Sequence, residues 1–453
     1  MNTLEQYFQY SLLSQAGYVD DLISGMSKDN LRPLYEETLK SSASNPNQFT
    51  DQQAIDFTEQ YRVLATQPNT ATGFAATVFQ DVDTGEIIFS IRGTEGGFSL
   101  VSSFLTNQQV YGETQTITTE GNSHLIEPFM DSLALQSMMS TLDNSLTLVN
   151  ANRLYQTAAS DIASSDKNLI ASFYKLFVGN TITGTDGISS IESYLPDIDI
   201  EAGFDFGIGK GETADRDKYY QALFAIESNT LYQTLSGSVD ILDLSANMST
   251  STLISNAEVD IAYRYALKNL TPFVLLGNGV NALYETRNTN GELDPYDPTT
   301  DTGTLTETYL RDRAYFLTQL LDVNQTDAAI YTSTQPEYLR DIGSNTILAT
   351  NASVNTSLPF LTYQQTIFGD DTNNTFTGGN QNDRLYGGGG DDVINGLNGS
   401  DTIEGNQGDD ILTGGSDNAT DQLFGGAGTQ LIYATNSDTT RSDDILFGRQ
   451  LAA

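Results

Sequence analysis

Residues 369–413 read GDDTNNTFTGGNQNDRLYGGGGDDVINGLNGSDTIEGNQGDDILT, and this stretch decides the fold of the C-terminal part of the chain. It divides into five nonapeptides with the pattern G-G-x-G-x-D-x-U-x, in which U is a large apolar residue. Two more units complete the array, GGSDNATDQLF (414–424), which has a two-residue insertion, and GGAGTQLIY (425–433). Such a repeat predicts short strands that stack coil upon coil, with glycines in the turns between them.

Two slots of the repeat carry the prediction. The apolar slot is filled in all seven units, by Phe376, Leu385, Ile394, Ile403, Leu412, Leu423 and Ile432. The aspartate slot holds Asp383, Asp392, Asp401, Asp410 and Asp421, with Asn374 and Gln430 at the two ends. Stacking would point the apolar residues inward and bring aspartates and backbone carbonyls of neighbouring turns together. A disordered glycine-rich linker is the alternative, but it would not keep an apolar residue in the same slot of seven consecutive units.

The charges of the array indicate a bound cation. Residues 369–433 contain ten Asp and one Glu but a single Arg, so the carboxylates would repel one another without a counter-ion. Calcium accepts six to eight oxygen ligands in flexible geometry, whereas magnesium requires a stricter octahedron. We therefore predict Ca²⁺ as the cofactor, with Asn374 and the five slot aspartates as metal ligands. Because the core of each coil is thin, metal binding and folding should be coupled.

Composition excludes several functions. The 453-residue chain has a net charge of −39, which disfavours partners such as nucleic acid and anionic membranes. It contains no cysteine and one histidine, His124, so disulfides, thiolate sites and multi-histidine zinc sites are excluded. No run of about 18 apolar residues is present, so no transmembrane segment is predicted.

The remaining sequence predicts a multidomain α+β protein. Residues 1–65 have helical periodicity, 73–79 and 86–91 are typical of strands, and the chain from 128 to 321 is mainly helical. Within this helical region, 132–149 and 307–321 are predicted helices, and Ser255 to Glu258 form a capping-box pattern. The expected domains are a helical start with a truncated α/β region (1–125), a mainly helical region (126–345), a connector (346–368), the β-roll (369–433) and a tail (434–453).

The array resembles the RTX (repeats-in-toxin) proteins of Gram-negative bacteria. That resemblance implies secretion into the extracellular space by type I secretion machinery, without a cleaved N-terminal signal. The N-terminal MNTLEQYFQYSLLSQAGYVDD agrees, because it lacks a basic region followed by a compact apolar run. The resemblance also places the export signal in the C-terminal tail, 434–453.

The N-terminal half resembles the RTX-type bacterial lipases, which have an α/β-hydrolase catalytic domain. The similarity lies in TGFAATVFQDVDTGEIIFSIRGTE, HLIEPFMDSLALQSMMSTLD, DIAYRYALKNLTPF and LTETYLRDRAYFL. It implies a lipid or ester substrate, an oxyanion-hole role for Thr94 and a catalytic role for His124. The family order around the histidine is nearer Asn-His-Ser, whereas this chain has Asn122-Ser123-His124.

The catalytic part is nevertheless predicted to be incomplete. Ester hydrolysis needs a serine on a G-x-S-x-G elbow, and no Gly-x-Ser of this chain has a glycine two residues further on. Ser99 is the best remaining nucleophile. The sequence thus predicts an incomplete α/β-hydrolase-like N-terminal part, a mainly helical middle and a C-terminal parallel β-roll. Two alternatives stay open: an active calcium-dependent lipase or esterase that uses Ser99, His124 and Asp131, and a non-enzymatic surface or adhesion protein.

Overall fold

The computed structural model divides the chain into two compact units, Met1–Asp243 with Leu275–Val280, and Leu244–Val274 with Asn281–Ala453. The residues that the structure describes are 51–67, 75–85, 87–92, 126–159, 162–184, 187–195, 212–245, 248–297, 299–300, 302–326, 331–350, 362–429, 431–433 and 445–447, with Gln9, Leu12, Leu13 and Ala16.

A short helix and an antiparallel sheet are the first elements of this unit whose bounds the structure describes. Helix α1 (Asp51–Gln60) leads directly into β1 (Tyr61–Gln67), which pairs with β2 (Ala75–Asp81), and β2 pairs with β3 (Ile87–Arg92). The predicted strands are present, but the predicted helix over 1–65 is wrong from Tyr61 onward. There the side chains alternate, with Tyr61 and Val63 buried and Arg62 exposed, as a period of two requires. These three described strands are antiparallel, so they contain no parallel βαβ unit of a hydrolase sheet.

The other described residues of the first unit are mainly helical, as predicted. Its helices are α2 (Ile126–Leu142), α3 (Leu148–Ala158), α4 (Ile162–Phe177), α5 (Ile191–Tyr194), α6 (Glu212–Glu227) and α7 (Thr230–Leu235). Its short strands are β4 (Thr181–Gly184) with β5 (Gly187–Ser190), and β6 (Val239–Asp243) with β7 (Phe273–Gly277). The helix predicted over 132–149 is interrupted, because the Asp143 carboxylate accepts hydrogen bonds from the backbone of Ser145 and Ile241 and closes a turn there.

Four helices open the second unit: α8 (Thr250–Val259), α9 (Ile261–Asn269), α10 (Val280–Glu285) and α11 (Glu307–Thr326). The capping box predicted over 255–258 is wrong, since those residues lie inside α8. The side chain of Ser249 caps α8 and that of Asp260 caps α9. Both helices pack against α11.

The repeats form a parallel β-roll of about four coils. One flank is a seven-stranded sheet in the order β18-β16-β14-β12-β10-β8-β9, and the other is a four-stranded sheet in the order β11-β13-β15-β17. Within them only the β8–β9 pair is antiparallel. Their bounds are β8 (Glu337–Asp341), β9 (Thr346–Ala349), β10 (Gln364–Phe368), β11 (Thr375–Thr377), β12 (Arg384–Gly389), β13 (Val393–Leu397), β14 (Thr402–Gln407), β15 (Ile411–Gly415), β16 (Gln422–Phe424), β17 (Leu431–Tyr433) and β18 (Ile445–Phe447).

The interior of the roll is a column of apolar side chains. Leu385 pairs with Ile403 in the larger sheet and Ile394 pairs with Leu412 in the smaller one, so two successive repeats make one coil. Six of the seven predicted slot residues, 376 to 423, are buried in this column, and Ile432 packs against it. Ile367 joins them from β10, in the segment predicted as a connector. The roll therefore begins before the first glycine-rich turn, since an x-U-x triplet can form a strand without the full repeat.

Candidate metal centre

The aspartate slots form two columns, because successive repeats lie on opposite flanks of the roll. Asp383, Asp401 and Asp421 precede strands of the seven-stranded sheet, whereas Asn374, Asp392 and Asp410 precede strands of the four-stranded sheet. None of the five aspartates is more than 2% exposed. Asp and Glu are seldom fully buried unless their charge is paired, so both columns need an explanation.

One oxygen of each carboxylate joins neighbouring coils. The backbone N–H of Asn374 donates to Oδ1 of Asp392 at 2.7 Å, and that of Asp392 donates to Oδ1 of Asp410 at 2.9 Å. In the other column the N–H of Asp383 donates to Oδ1 of Asp401 at 2.8 Å, and that of Asp401 donates to Oδ1 of Asp421 at 2.9 Å. These ladders fix the orientation of the carboxylates and leave Oδ2 for another role.

The second oxygen is the informative one. Oδ2 of Asp392 and Oδ2 of Asp401 are buried and accept no hydrogen bond from the protein. An unpaired buried carboxylate oxygen costs several kcal/mol in free energy, so native proteins satisfy such groups with a partner or an ion. Asp383 differs, since its Oδ2 accepts a hydrogen bond from the backbone N–H of Gly379.

A second oxygen lies close to each of these atoms, at the first glycine of the repeat. A Cβ added to Gly387 would lie 2.3 Å from Oδ2 of Asp392 and 2.5 Å from the carbonyl oxygen of Gly405, one coil further on. At Gly396 the corresponding distances are 2.2 Å to Oδ2 of Asp401 and 2.4 Å to the carbonyl oxygen of Gly414. Only glycine leaves this space open, and a carboxylate and a carbonyl oxygen border it.

These donors fit calcium. Among the residues that the structure describes, no three Asp, Glu or His side chains converge on one point. We call the space between each Oδ2 atom and the facing glycine carbonyl a cradle. A cation in such a cradle would therefore take most of its ligands from backbone carbonyls and single carboxylates. Such an all-oxygen, irregular set suits calcium, whereas magnesium holds to octahedral geometry and zinc prefers nitrogen and sulfur.

The electrostatics of the columns also favour a bound cation. Burial, together with the charges of neighbouring carboxylates, raises the pKa of Asp392 to about 7 and that of Asp401 to about 8. Burial likewise raises the pKa of Asp383 to about 6. The protein alone thus holds these carboxylates poorly in their charged form. A divalent cation reverses this, because its charge stabilises the deprotonated ligands.

The ends of the array are less complete. Asn374 keeps an oxygen at the equivalent point, 2.5 Å from the Cβ position of Gly369, but this Oδ1 already accepts the backbone N–H of Asp370. At the other end, a Cβ on Gly414 would lie 2.2 Å from Oδ2 of Asp421. Gln430 lies outside the described residues. The best-formed cradles are therefore those of Asp392 and Asp401 in the middle.

No predicted catalytic residue is among the described residues of this centre. Thr94, Ser99 and His124 lie outside the described residues, and Asp131 lies in α2. A further group of residues, which the repeat pattern does not predict, lies on the outer face of the roll and includes Arg384 and Glu404. The sequence contains a signal for these two residues, because they are the only Arg and the only Glu of the repeats.

Among the described residues, none of the helices combines the length and apolar character needed to cross a bilayer. No curated protein and no solved structure matches the chain. The family model of the RTX calcium-binding nonapeptide repeat, in four copies, matches residues 368–403, 386–421 and 395–429. Repeats of this kind bind calcium ions, which confirms the predicted cofactor. The C-terminal part of this chain is therefore an RTX calcium-binding repeat segment folded as a parallel β-solenoid.

Proposed function

We propose that the two columns hold a row of calcium ions and that the roll folds when they bind. The ligands are Asp383, Asp401 and Asp421 in one column and Asn374, Asp392 and Asp410 in the other, with carbonyl oxygens of the glycine turns. The observation that carries this assignment is the buried Oδ2 of Asp392 and Asp401, each facing a glycine carbonyl across a space that a Cβ would fill.

Calcium should be required for folding because little else stabilises the coils. One apolar side chain per repeat builds the interior, and five aspartates are buried beside it. Without a cation, these aspartates must either stay protonated or repel one another. The free energy of calcium binding is then largely the free energy of folding, as in other small metal-dependent domains.

The test is a calcium titration of the full chain, followed by circular dichroism in the β-sheet region. Asp392→Asn removes one charge from the proposed site, whereas Asp391→Asn removes one from the exposed residue beside it. We expect the calcium midpoint to rise about tenfold or more for Asp392→Asn, because calcium affinity follows ligand charge, and to stay near wild type for Asp391→Asn. Equal midpoints for the two variants would refute the ligand assignment.

We further propose that the protein is exported before it folds. RTX-repeat proteins are typically secreted, and a calcium-dependent roll would stay unfolded where calcium is scarce and fold outside the cell. Type I secretion machinery of a Gram-negative bacterium would then recognise the tail 434–453. Deleting the last 20 residues should abolish secretion, and normal secretion of the shortened protein would contradict this placement of the signal.

A relationship to RTX-type lipases is also proposed, from the sequence resemblance alone. Because the chain has no G-x-S-x-G elbow, we expect little or no turnover of p-nitrophenyl esters or triglyceride, with or without calcium. The measurement is ester hydrolysis by the full chain, with Ser99→Ala and His124→Ala as controls. Robust hydrolysis that both substitutions abolish would establish an active enzyme instead.

A further inference from the structure

The outer face of the seven-stranded sheet carries an aromatic layer. Phe368 and Tyr386 follow the apolar slot on adjacent strands, and their rings stack at a centroid distance of 4.8 Å. Helix α11 covers them. Tyr309 meets both rings edge-on, at 5.5 and 5.3 Å, and Phe316 stacks on Phe368 at 6.1 Å. The helix and two coils of the roll therefore share one buried cluster.

Polar contacts fix the helix on this layer. The Tyr386 hydroxyl donates to Oδ2 of Asp312 at 2.6 Å, and Arg384 pairs with Oδ1 of the same carboxylate at 3.1 Å. Arg313, the next residue on α11, forms an ion pair with Asp341 of β8, and both side chains are buried. Removing the roll would leave Asp312 and Arg313 without these partners, which is costly for buried charges.

The start of α11 is also tied to the roll. Oγ1 of Thr306 accepts the backbone N–H of Tyr309 at 3.0 Å and so caps the helix. The same hydroxyl donates to Oε1 of Glu404, at 2.8 Å, and Glu404 is 1% exposed. Glu404 lies on β14, three residues after the proposed calcium ligand Asp401. A single short strand thus connects a metal ligand to the cap of a helix.

These contacts form only when β10, β12 and β14 lie side by side. The apolar column and the aspartate ladders hold those strands in register, and both depend on the formed coils. Helix α11 also supports α8 and α9, which pack against it. We therefore expect α11 to be structurally ordered only when the roll is folded.

We propose that α11 is a calcium-dependent element, which docks on the outer face of the roll once the coils have formed and so transmits calcium binding to the helices of the second unit. This inference rests on the proposed calcium-driven folding of the roll. It adds a structural consequence outside the repeats. Because coupling is reciprocal, residues of α11 that bind no metal must contribute to the calcium affinity of the roll.

Hydrogen exchange of the full-length protein, with calcium and with a chelator, tests the first half of the proposal. We expect amides of both 364–433 and 307–326 to lose protection together in the chelator. If the roll responds and α11 stays equally protected, the coupling is refuted while the proposed function stands. If the roll itself does not respond to calcium, both are refuted.

Reciprocity provides the second half of the test. Asp312→Asn weakens the contacts to Tyr386 and Arg384, whereas Asp322→Asn makes the same charge change at an exposed position of the same helix. We expect the calcium midpoint, read from exchange in the roll, to rise about threefold to tenfold for Asp312→Asn and to stay near wild type for Asp322→Asn. Tyr386→Phe, a milder change, should act in the same direction. Equal midpoints for wild type, Asp312→Asn and Tyr386→Phe would overturn the proposal.

Discussion

The two flanks of the roll are alike inside and different outside. Both sheets point one apolar residue per repeat inward, and an aspartate directly precedes β12, β14 and β16 in one sheet and β13 and β15 in the other. On the outer face of the seven-stranded sheet, Phe368 and Tyr386 are fully buried under α11. On the outer face of the four-stranded sheet, Val393 and Leu431 are 41% and 38% exposed. One sequence pattern recurs in every nonapeptide and supplies the proposed metal ligands. A second pattern recurs once per coil and makes the two outer faces different.

The second pattern is visible in the last position of the repeat. Up to residue 424 it alternates between small polar residues and larger ones, in the order Thr377, Tyr386, Asn395, Glu404, Thr413 and Phe424. Because consecutive repeats lie on opposite flanks, this alternation gives one sheet a face that a helix can cover. Calcium binding and the docking of a helix thus depend on different positions of the same nonapeptide.

The largest effect should come from a change at the first glycine of the repeat, a feature that the two flanks share. In Gly387→Ala the new methyl group would lie 2.3 Å from Oδ2 of Asp392, in the space proposed for the cation. We expect loss of calcium-induced folding, or a calcium midpoint raised by at least about tenfold, since a ligand oxygen must move. The measurement is a calcium titration followed by circular dichroism.

Gly389→Ala is the matched control, two residues along the same turn and strand. Its nearest neighbour would be the Cα of Asp371 at 3.4 Å, an ordinary contact. We expect it to fold at the wild-type calcium concentration. If both alanine variants behave alike, glycine at the first position serves the backbone and not the metal.

A smaller effect, again common to both columns, should come from pH. Burial raises the pKa of Asp392 to about 7 and that of Asp401 to about 8, above their unfolded values. The metal-free coils therefore bind more protons than the unfolded chain, and their stability falls as the pH rises through 8. Below about pH 8 protons can therefore take the place of the cation in part, so the calcium-free chain should keep more β-structure at pH 5 than at pH 8.

Circular dichroism of the full chain in calcium-free buffer, at several pH values between 5 and 8, measures this effect. We expect the β-sheet signal to fall as the pH rises towards 8, and calcium to restore it at pH 8. A calcium-free β-sheet signal that is independent of pH between 5 and 8 would contradict the raised pKa values of the columns.

The smallest effect should separate the two faces. Tyr386→Phe removes a hydroxyl that donates to the buried Asp312, and we expect it to lower the free energy of unfolding by about 1–2 kcal/mol. Thr413→Ala, at the same repeat position on the exposed face, should change it by about 0.5 kcal/mol or less. Chemical denaturation of both variants in saturating calcium tests this. Similar losses would mean that the faces are equivalent.

The roll could be predicted from the sequence because its signals are local and periodic. Glycine in the turns, one apolar slot and one aspartate slot fix the coil, and the structure places six of the seven apolar side chains in its core. Its start could not be predicted. Ile367 lies in the same apolar column, but Gln364 to Phe368 carry no glycine-rich turn to mark them.

Elements outside the repeats were harder to predict, because the residues at which they begin and end depend on partners distant in sequence. The break after Leu142 follows from a hydrogen bond between Asp143 and the backbone of Ile241, which no local pattern announces. The docking of α11 likewise depends on Asp312 meeting Tyr386, 74 residues away. Charged residues that depart from a repeat, such as Glu404, are the sequence signal that would have indicated this face.

The proposed function requires the unpaired Oδ2 atoms of Asp392 and Asp401 to be calcium ligands. A crystal structure of the calcium-loaded protein, with anomalous scattering to locate the ions, tests it most directly. We expect calcium beside Oδ2 of Asp392 and of Asp401, each ion also contacted by the glycine carbonyl of the next coil. Ordered coils without calcium at either position, or calcium bound only at exposed carboxylates such as Asp391 and Asp409, would contradict it.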